Sequence, residues 1–380
     1  MKLKNHLLTS SDKIVIYLLF FSIFMPFIVT GIILLGITFY ILIKKKISGI
    51  FEKKSNIWII VFIIYCSIIS LLNKNFIGFG CALFFLAIII NAKFIREYIT
   101  ADIFEDGLNI TCIMGLLTAL FCIIDFAYIK FIIANIGTYR STLYFFNSNY
   151  LATLFATVII VCAYKVLNHK CKAIYYYIVA VFCALGAYLT GSMFVWVEVF
   201  IGCAALLVLN GRHQLLSALF LFAGTCVIVL YCVPILLPRI NESNITTDNR
   251  VTIWTTTITA IKDSSPIFGK GFLTYFHIKD LYPKSYNTAH SHSIFLEPFL
   301  SFGILGTIPL VVYFSYFYKN VILCKKAQHK YGISTLILAI SLAAAVHGTT
   351  DLTFIWIQTT LFYSLIFASV GIEEKLLKIN

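Results

Sequence analysis

Residues 249–306 read NRVTIWTTTITAIKDSSPIFGKGFLTYFHIKDLYPKSYNTAHSHSIFLEPFLSFGILG. This is the one long polar passage in an apolar chain, and it divides that chain in two. Before it come runs of Ile, Leu, Phe and Val broken by short lysine-bearing segments; after it come three more such runs. Of the 380 residues, 60% are hydrophobic and 12% charged, where a soluble domain carries about 25% charged. Such a chain reads as an all-α, polytopic membrane protein, because a helix satisfies its own backbone hydrogen bonds where no water can.

Working outward, the apolar runs predict spans at about 55–73, 76–92, 107–127, 150–165, 173–189, 193–209, 214–236, 294–317, 331–347 and 352–370. Residues 14–43 form a longer run that Pro26, Thr30 and Gly31 break into two short halves. Lysines on both sides of that run argue for two crossings, giving about twelve transmembrane helices with both termini cytoplasmic. The predicted inside segments then carry 20 Lys and Arg, against 3 in the short outside loops. Three regions follow: helices 1–9 over residues 1–236, an extracytoplasmic loop over 237–293, and helices 10–12 over 294–380. The net charge of +13 lies in these short clusters and not in a basic domain, which excludes a nucleic-acid groove. The 11 cysteines avoid the loop, so no disulfide framework is expected. The first apolar run is too long for a cleaved signal and reads as a retained anchor.

With this orientation, Asp125, Glu198, Glu297, His347 and Asp351 all fall near outer helix ends. Ionisable groups in a bilayer are costly and usually face an interior site, so a shared depth suggests one outward-facing polar cavity. Reaching the headgroup layer is the plainer explanation for any one of them. In the loop, Asp248 can cap a helix beginning near Asn249. Val251, Trp254, Ile258 and Ile261 recur at helical spacing, predicting an amphipathic segment on the membrane surface. Arg250 sits in its first turn, where free N–H groups and the helix dipole favour an anion such as phosphate. Pro266, Gly269 and Gly271 then predict a turn.

Three passages resemble the superfamily of O-antigen ligases and O-antigen or exopolysaccharide polymerases. One is Arg250-Val-Thr-Ile-Trp, followed by Asp263-Ser-Ser-Pro-Ile-Phe-Gly-Lys-Gly and by His290-Ser-His292 ahead of Gly303-Ile-Leu-Gly306. The family histidine stands eleven residues before the first glycine of that pair, which selects His292. A second is Arg140-Ser-Thr-Leu-Tyr-Phe-Phe-Asn147-Ser-Asn149 before an apolar run. The third is Leu189-Thr-Gly-Ser192, where the family commonly continues with arginine and this chain has Met193. Arg140 is available to take over that charge.

The resemblance implies glycan transfer from a polyprenyl-diphosphate-linked oligosaccharide to an acceptor hydroxyl on a glycan, lipid or protein. It places the reaction at the outer face of the bacterial cytoplasmic membrane, without nucleotide sugar, cofactor or metal, and allows other polysaccharide-assembly proteins as partners. Arginine suits a diphosphate because its planar fork stays charged in a dry site, which selects Arg250 and Arg140. Histidine can accept a hydroxyl proton near neutral pH, which selects His292, with Glu297 to orient the imidazole or the sugar. Asp351, His290, Asn147 and Asn149 are weaker substrate-binding candidates, the asparagines serving equally well as helix caps. Tyr282, Tyr286, Trp254 and Phe276 can stack on sugars or form an interfacial belt. His290 and His292 could hold a metal, but no third ligand is in view in the sequence. The competing class is a transporter of the same lipid-linked glycans, which calls for polar residues at mid-membrane depth.

Overall fold

The computed structural model describes residues 8–46, 55–133, 139–145, 147–168, 173–233, 247–263, 266–282, 285–327 and 332–378. The apolar runs become α1 (Ser10–Ser22), α2 (Phe27–Ile43), α3 (Asn56–Leu72), α4 (Phe76–Tyr98) and α5 (Ala101–Tyr128). They continue as α6 (Ser148–Asn168), α7 (Ala173–Leu189), α8 (Val195–Leu209) and α9 (His213–Cys232). The polar passage holds α10 (Thr247–Asp263) and the single turn α11 (Thr274–Ile278). The chain then closes with α12 (Leu296–Ala327), α13 (Ile333–His347), α14 (Ile357–Ala368) and α15 (Val370–Leu377). No strand occurs among the described residues.

Five helices are long and apolar enough to cross a membrane: α4, α5 with the π turn that extends it, α6, α9 and α12. Five shorter apolar helices, α2, α3, α7, α8 and α13, accompany them. α1 and α14, with 13 and 12 residues, rise only about 20 Å at 1.5 Å per residue, less than the ~30 Å hydrocarbon core.

The divided first run is a hairpin. Thr9 caps α1 in a reciprocal box with Asp12, and Asp12 also accepts from Tyr40 at 2.9 Å and Lys46 at 2.5 Å. The end of α2 therefore returns to the start of α1. At the break, Thr30 donates to the Ser22 carbonyl at 2.6 Å and Gln358 to the Met25 carbonyl at 2.8 Å, covering the backbone groups the break leaves over.

α6 is the hub, with 78% of its apolar window buried, and it packs against α5, α7, α8, α13 and α14. α8 approaches both α6 and α13 closely because Gly202 lacks a side chain; a Cβ there would stand 2.3 Å from Ile160 Cδ1 on α6 and 3.3 Å from Ala343 Cβ on α13. Small residues of this kind let helices pack in lipid, where burial in oil offers no drive. α9 buries none of its residues and presents Leu221, Phe222, Val227 and Ile228 outward, a surface that suits hydrocarbon and not water.

α12 bends at Gly303, whose φ of 61° and ψ of −173° only glycine adopts readily. The bend frees N–H groups, and the turn after α10 supplies their acceptors: Ile304 N donates to Pro266 O and Leu305 N to Ile267 O, both at 3.0 Å. In return Ser301 O accepts from Lys270 N and Gly271 N at 3.1 and 2.7 Å. Asn75, at the start of α4, holds the same turn by donating to the Lys270 and Phe272 carbonyls at 3.1 and 2.9 Å. The predicted Pro266–Gly271 turn is thus a plug in a broken helix.

The expectations for α10 and α12 are refined. α10 turns Ile253, Thr256, Thr257 and Ala260 inward, with Ile253 and Ala260 packed among Tyr275, Ile278 and Leu300. Val251 and Ile258, assigned to the apolar face, are exposed. Threonine can fill the inner face because Thr257 returns its hydroxyl to the Ile253 carbonyl at 2.7 Å, leaving only a methyl to pack. Secondly, α12 runs on to Ala327, ten residues past the predicted span, so Lys319, Lys325 and Lys326 ride on a helix and not a loop. Residues 234–246 lie outside the described residues, as does the side chain of Asp248.

Candidate active site

The polar residues converge at the end of the bundle where α10 and the 285–293 segment lie. Their centre is Asp351, in the turn between α13 and α14. Its Oδ1 is 3.0 Å from His292 Nδ1 and 3.7 Å from His290 Nε2, and it accepts from Leu352 N at 2.7 Å. Its Oδ2 accepts from Asn149 Nδ2 at 2.7 Å. Burial works against the carboxylate's charge, yet the hydrogen bond from His292 and the neighbouring His290 and His347 hold it well below the usual carboxylate range. Asp351 is therefore an anion.

Asn149 carries the connection on. Its Oδ1 accepts from Arg140 Nη2 at 2.8 Å, while Arg140 Nε donates to Thr190 O at 2.8 Å. The backbone of Leu189 accepts from Ser141 N at 3.0 Å. Gly191, at a φ of +65°, leaves room for Arg140: a Cβ there would stand 3.3 Å from its Cγ and Nε. The Arg140 and Leu189-Thr-Gly passages thus form one unit, with the Arg140 guanidinium running over the turn that precedes Met193. Asn147 accepts from Asn149 N at 2.8 Å and so shapes the start of α6. Arg140→Lys keeps the charge but loses the fork; about 1.5–3 kcal/mol of stability should go with it, read as a lower unfolding midpoint in detergent.

The histidine segment is held from three sides. His292 has a φ of 51°, a left-handed conformation costing on the order of 1–2 kcal/mol in a residue with a side chain. Its N–H donates to His290 Nδ1 at 3.2 Å, its carbonyl accepts from Trp254 Nε1 at 3.4 Å, and its Nε2 lies 2.9 Å from the Thr288 hydroxyl. Next along, Ile294 N donates to Gly348 O at 2.7 Å, fastening the segment to the end of α13. Burial, with His292 beside it, brings His290 down to about 4 against the pull of Asp351. That ring is neutral, and since its Nδ1 accepts, its proton sits on Nε2 toward Tyr150, 2.9 Å away.

Glu297 does not meet the His292 imidazole. It accepts from Ser291 N at 2.8 Å and Ser301 hydroxyl at 2.7 Å, bracing the histidine segment on α12, and the carboxylate on the His292 ring is Asp351. Trp254 and Arg250 are four residues apart and share a face of α10, so Trp254's bond to the His292 carbonyl brings Arg250 to the same region. Arg250 is half-buried and its charge acts on His347. Below Asp351, His347 Nδ1 is 2.5 Å from Glu198 Oε2 and 3.3 Å from the Thr153 hydroxyl. Asp125 stands beside the Arg140 segment, accepting from the Tyr139 hydroxyl and from the Ser141 hydroxyl at 3.5 Å.

Tyr150, Thr190 and Thr288 are site neighbours that the sequence reading passed over. Tyr150 and Thr190 sit inside motifs already singled out, whereas nothing in the loop's sequence marks Thr288. His290, His292 and Asp351 also place one ligand atom each within 4.8 Å of one another, so the third group missing from the sequence arrives from the turn after α13.

Fold and site together define an all-helical membrane-type protein with an arginine, histidine and carboxylate cluster at one end of its bundle. Residues 178–311 match the model of the family described as O-Antigen ligase, which supports the superfamily of O-antigen ligases and polymerases. The matched stretch covers Gly191, Arg250, the plugged turn, His292 and Gly303; Arg140, Asn149 and Asp351 lie outside it. No curated protein matches the chain.

Proposed function

We propose that the protein transfers a glycan from a polyprenyl diphosphate to an acceptor hydroxyl at the outer face of the bacterial cytoplasmic membrane, in surface-polysaccharide synthesis. The observation that carries this reading is the His292 imidazole held through Nδ1 by the buried Asp351 carboxylate, with Arg140 joined to the same carboxylate through Asn149. Asp351 fixes the imidazole so that Nε2 faces the reacting groups and stabilises the ring once it gains a proton. The acceptor oxygen bonds to the anomeric carbon as the bond from that carbon to the diphosphate oxygen breaks. The hydroxyl proton passes to His292 Nε2, and polyprenyl diphosphate leaves. Arg250 and Arg140 oppose the charge that gathers on the leaving diphosphate. The bilayer brings a lipid-linked donor to the depth of the site, and the excess of Lys and Arg in the predicted inside segments supports cytoplasmic termini and a site on the outer side. Proton acceptance by His292 and charge neutralisation by arginine complete the step without a metal.

Purified protein in lipid, given a polyprenyl-diphosphate oligosaccharide and acceptor, should form product with and without chelator. Arg250→Ala should lower the rate ~10²–10³-fold, as expected for losing one donor to a developing anion. A product ladder identifies a polymerase and a single addition a ligase. Protein-dependent movement of the lipid across the bilayer with no product from any acceptor would replace this reading with a transporter.

A further inference from the structure

We propose that His290, His292 and Asp351 form an inhibitory binding site for a borderline divalent transition cation, for which Zn²⁺ is the probe. Two imidazoles and a carboxylate suit zinc, nickel or copper better than magnesium or calcium, which prefer all-oxygen sets. The spacing fits: ligand atoms about 2.1 Å from a tetrahedral zinc stand roughly 3.4 Å apart, and the two edges at Asp351 Oδ1 measure 3.0 and 3.7 Å. All three ligand atoms fall within 4.8 Å of one another.

The surroundings already hold the ligands as a metal would need. Asn149 fixes the far oxygen of Asp351, and Thr288 stands at the far nitrogen of His292, where an N–H donated outward orients a ligating ring. His290 must move its proton from Nε2 to Nδ1, giving up the 2.9 Å bond with Tyr150 and the 3.2 Å contact from His292 N. His292 must likewise release the proton that its Nδ1 directs at Asp351 and keep one on Nε2, where the Thr288 hydroxyl can accept it. The His292 side chain is 17% exposed while Asp351 is 1% exposed, so the cation enters over His292. Arg140, one amide away from Asp351, opposes a dication and makes binding weaker than three such ligands alone provide. Once bound, the metal occupies His292 Nδ1 and takes Asp351 Oδ1 from it, removing the arrangement the proposed reaction uses. Inhibition therefore rests on the proposed function, whereas binding does not.

The test is calorimetric titration of untagged, detergent-solubilised protein with zinc chloride, alongside transfer assays over the same concentrations and with magnesium chloride as the hard-cation control. One equivalent of Zn²⁺ should bind the wild type, at least 10-fold more weakly in His290→Ala and in Asp351→Asn, and unchanged in Glu198→Gln, which excludes the neighbouring Glu198–His347 pair. Transfer should fall at least 10-fold as the site fills and return on chelation, and magnesium should do neither. No binding to the wild type overturns the site, as does equal binding in His290→Ala and Asp351→Asn when both elute as folded protein. Binding without loss of transfer overturns the inhibition. In that case His292→Ala assayed without zinc decides the underlying reading: an inactive variant leaves His292 as the base, and an active one removes that role as well.

Discussion

His292→Ala is expected to lower glycan transfer ~10²–10⁴-fold, the range that a positioned general base contributes, while the protein still inserts and elutes as folded material. Alanine removes the imidazole but spares the bonds of the 292 backbone, which hold the segment to His290 and Trp254. Asp351→Asn should fall in the same range. An amide cannot stabilise the imidazolium that forms, although its shape still accepts from Leu352 N. If the two residues act as a unit, the double variant should be no slower than His292→Ala alone. Additive losses in single-turnover rates would show that Asp351 acts on the substrate and not through His292, and wild-type transfer by His292→Ala would remove the assigned base altogether.

Gly303→Ala is the second large effect, and it concerns the scaffold. The backbone at 303 lies in a region essentially reserved for glycine, and a Cβ there would stand 2.4 Å from the Ile267 carbonyl oxygen. Neither strain nor clash can relax without withdrawing the 266–271 turn, whose carbonyls serve Ile304 and Leu305. A loss on the order of 3 kcal/mol is expected, measured as a markedly lower unfolding midpoint and faster proteolysis of the 264–285 segment. Gly306→Ala meets the Tyr65 ring and Phe302 Cβ but carries no left-handed backbone strain, so its effect should be smaller. Equal stability of Gly303→Ala and wild type would mean that the plug does not hold α12.

Much of the site could be read from the chain because its residues lie in short motifs. His292, Arg250, Arg140, Asn149 and the Gly303 pair each stand at a fixed offset from a recognisable neighbour, and Asp351 and His347 mark the end of an apolar run. Glu297 shows where that reading stops. Five residues separate it from His292, and nearness in sequence made it the obvious partner for the ring, yet the segment doubles back at a left-handed residue and Glu297 turns to Ser291 and Ser301. The inner face of α10 stayed hidden for a related reason: the apolar spacing marked a stripe for the membrane surface, and nothing in it showed that threonines satisfying their own hydroxyls would pack inward.

By itself the sequence determined that the chain is helical and apolar, where its first run breaks, and that one polar passage holding Arg250 and His292 divides it. Those properties follow from local composition and period, which act on neighbours along the chain. Only the tertiary structure decided that Asp351, 59 positions beyond His292, is the carboxylate on its ring, that Asn149 joins it to Arg140, and that the Gly269 turn mends the break at Gly303. These are pairings between buried polar groups with no water to fall back on. Each must find a partner in space, and the packing of α6, α8 and α13 sets which partner is within reach.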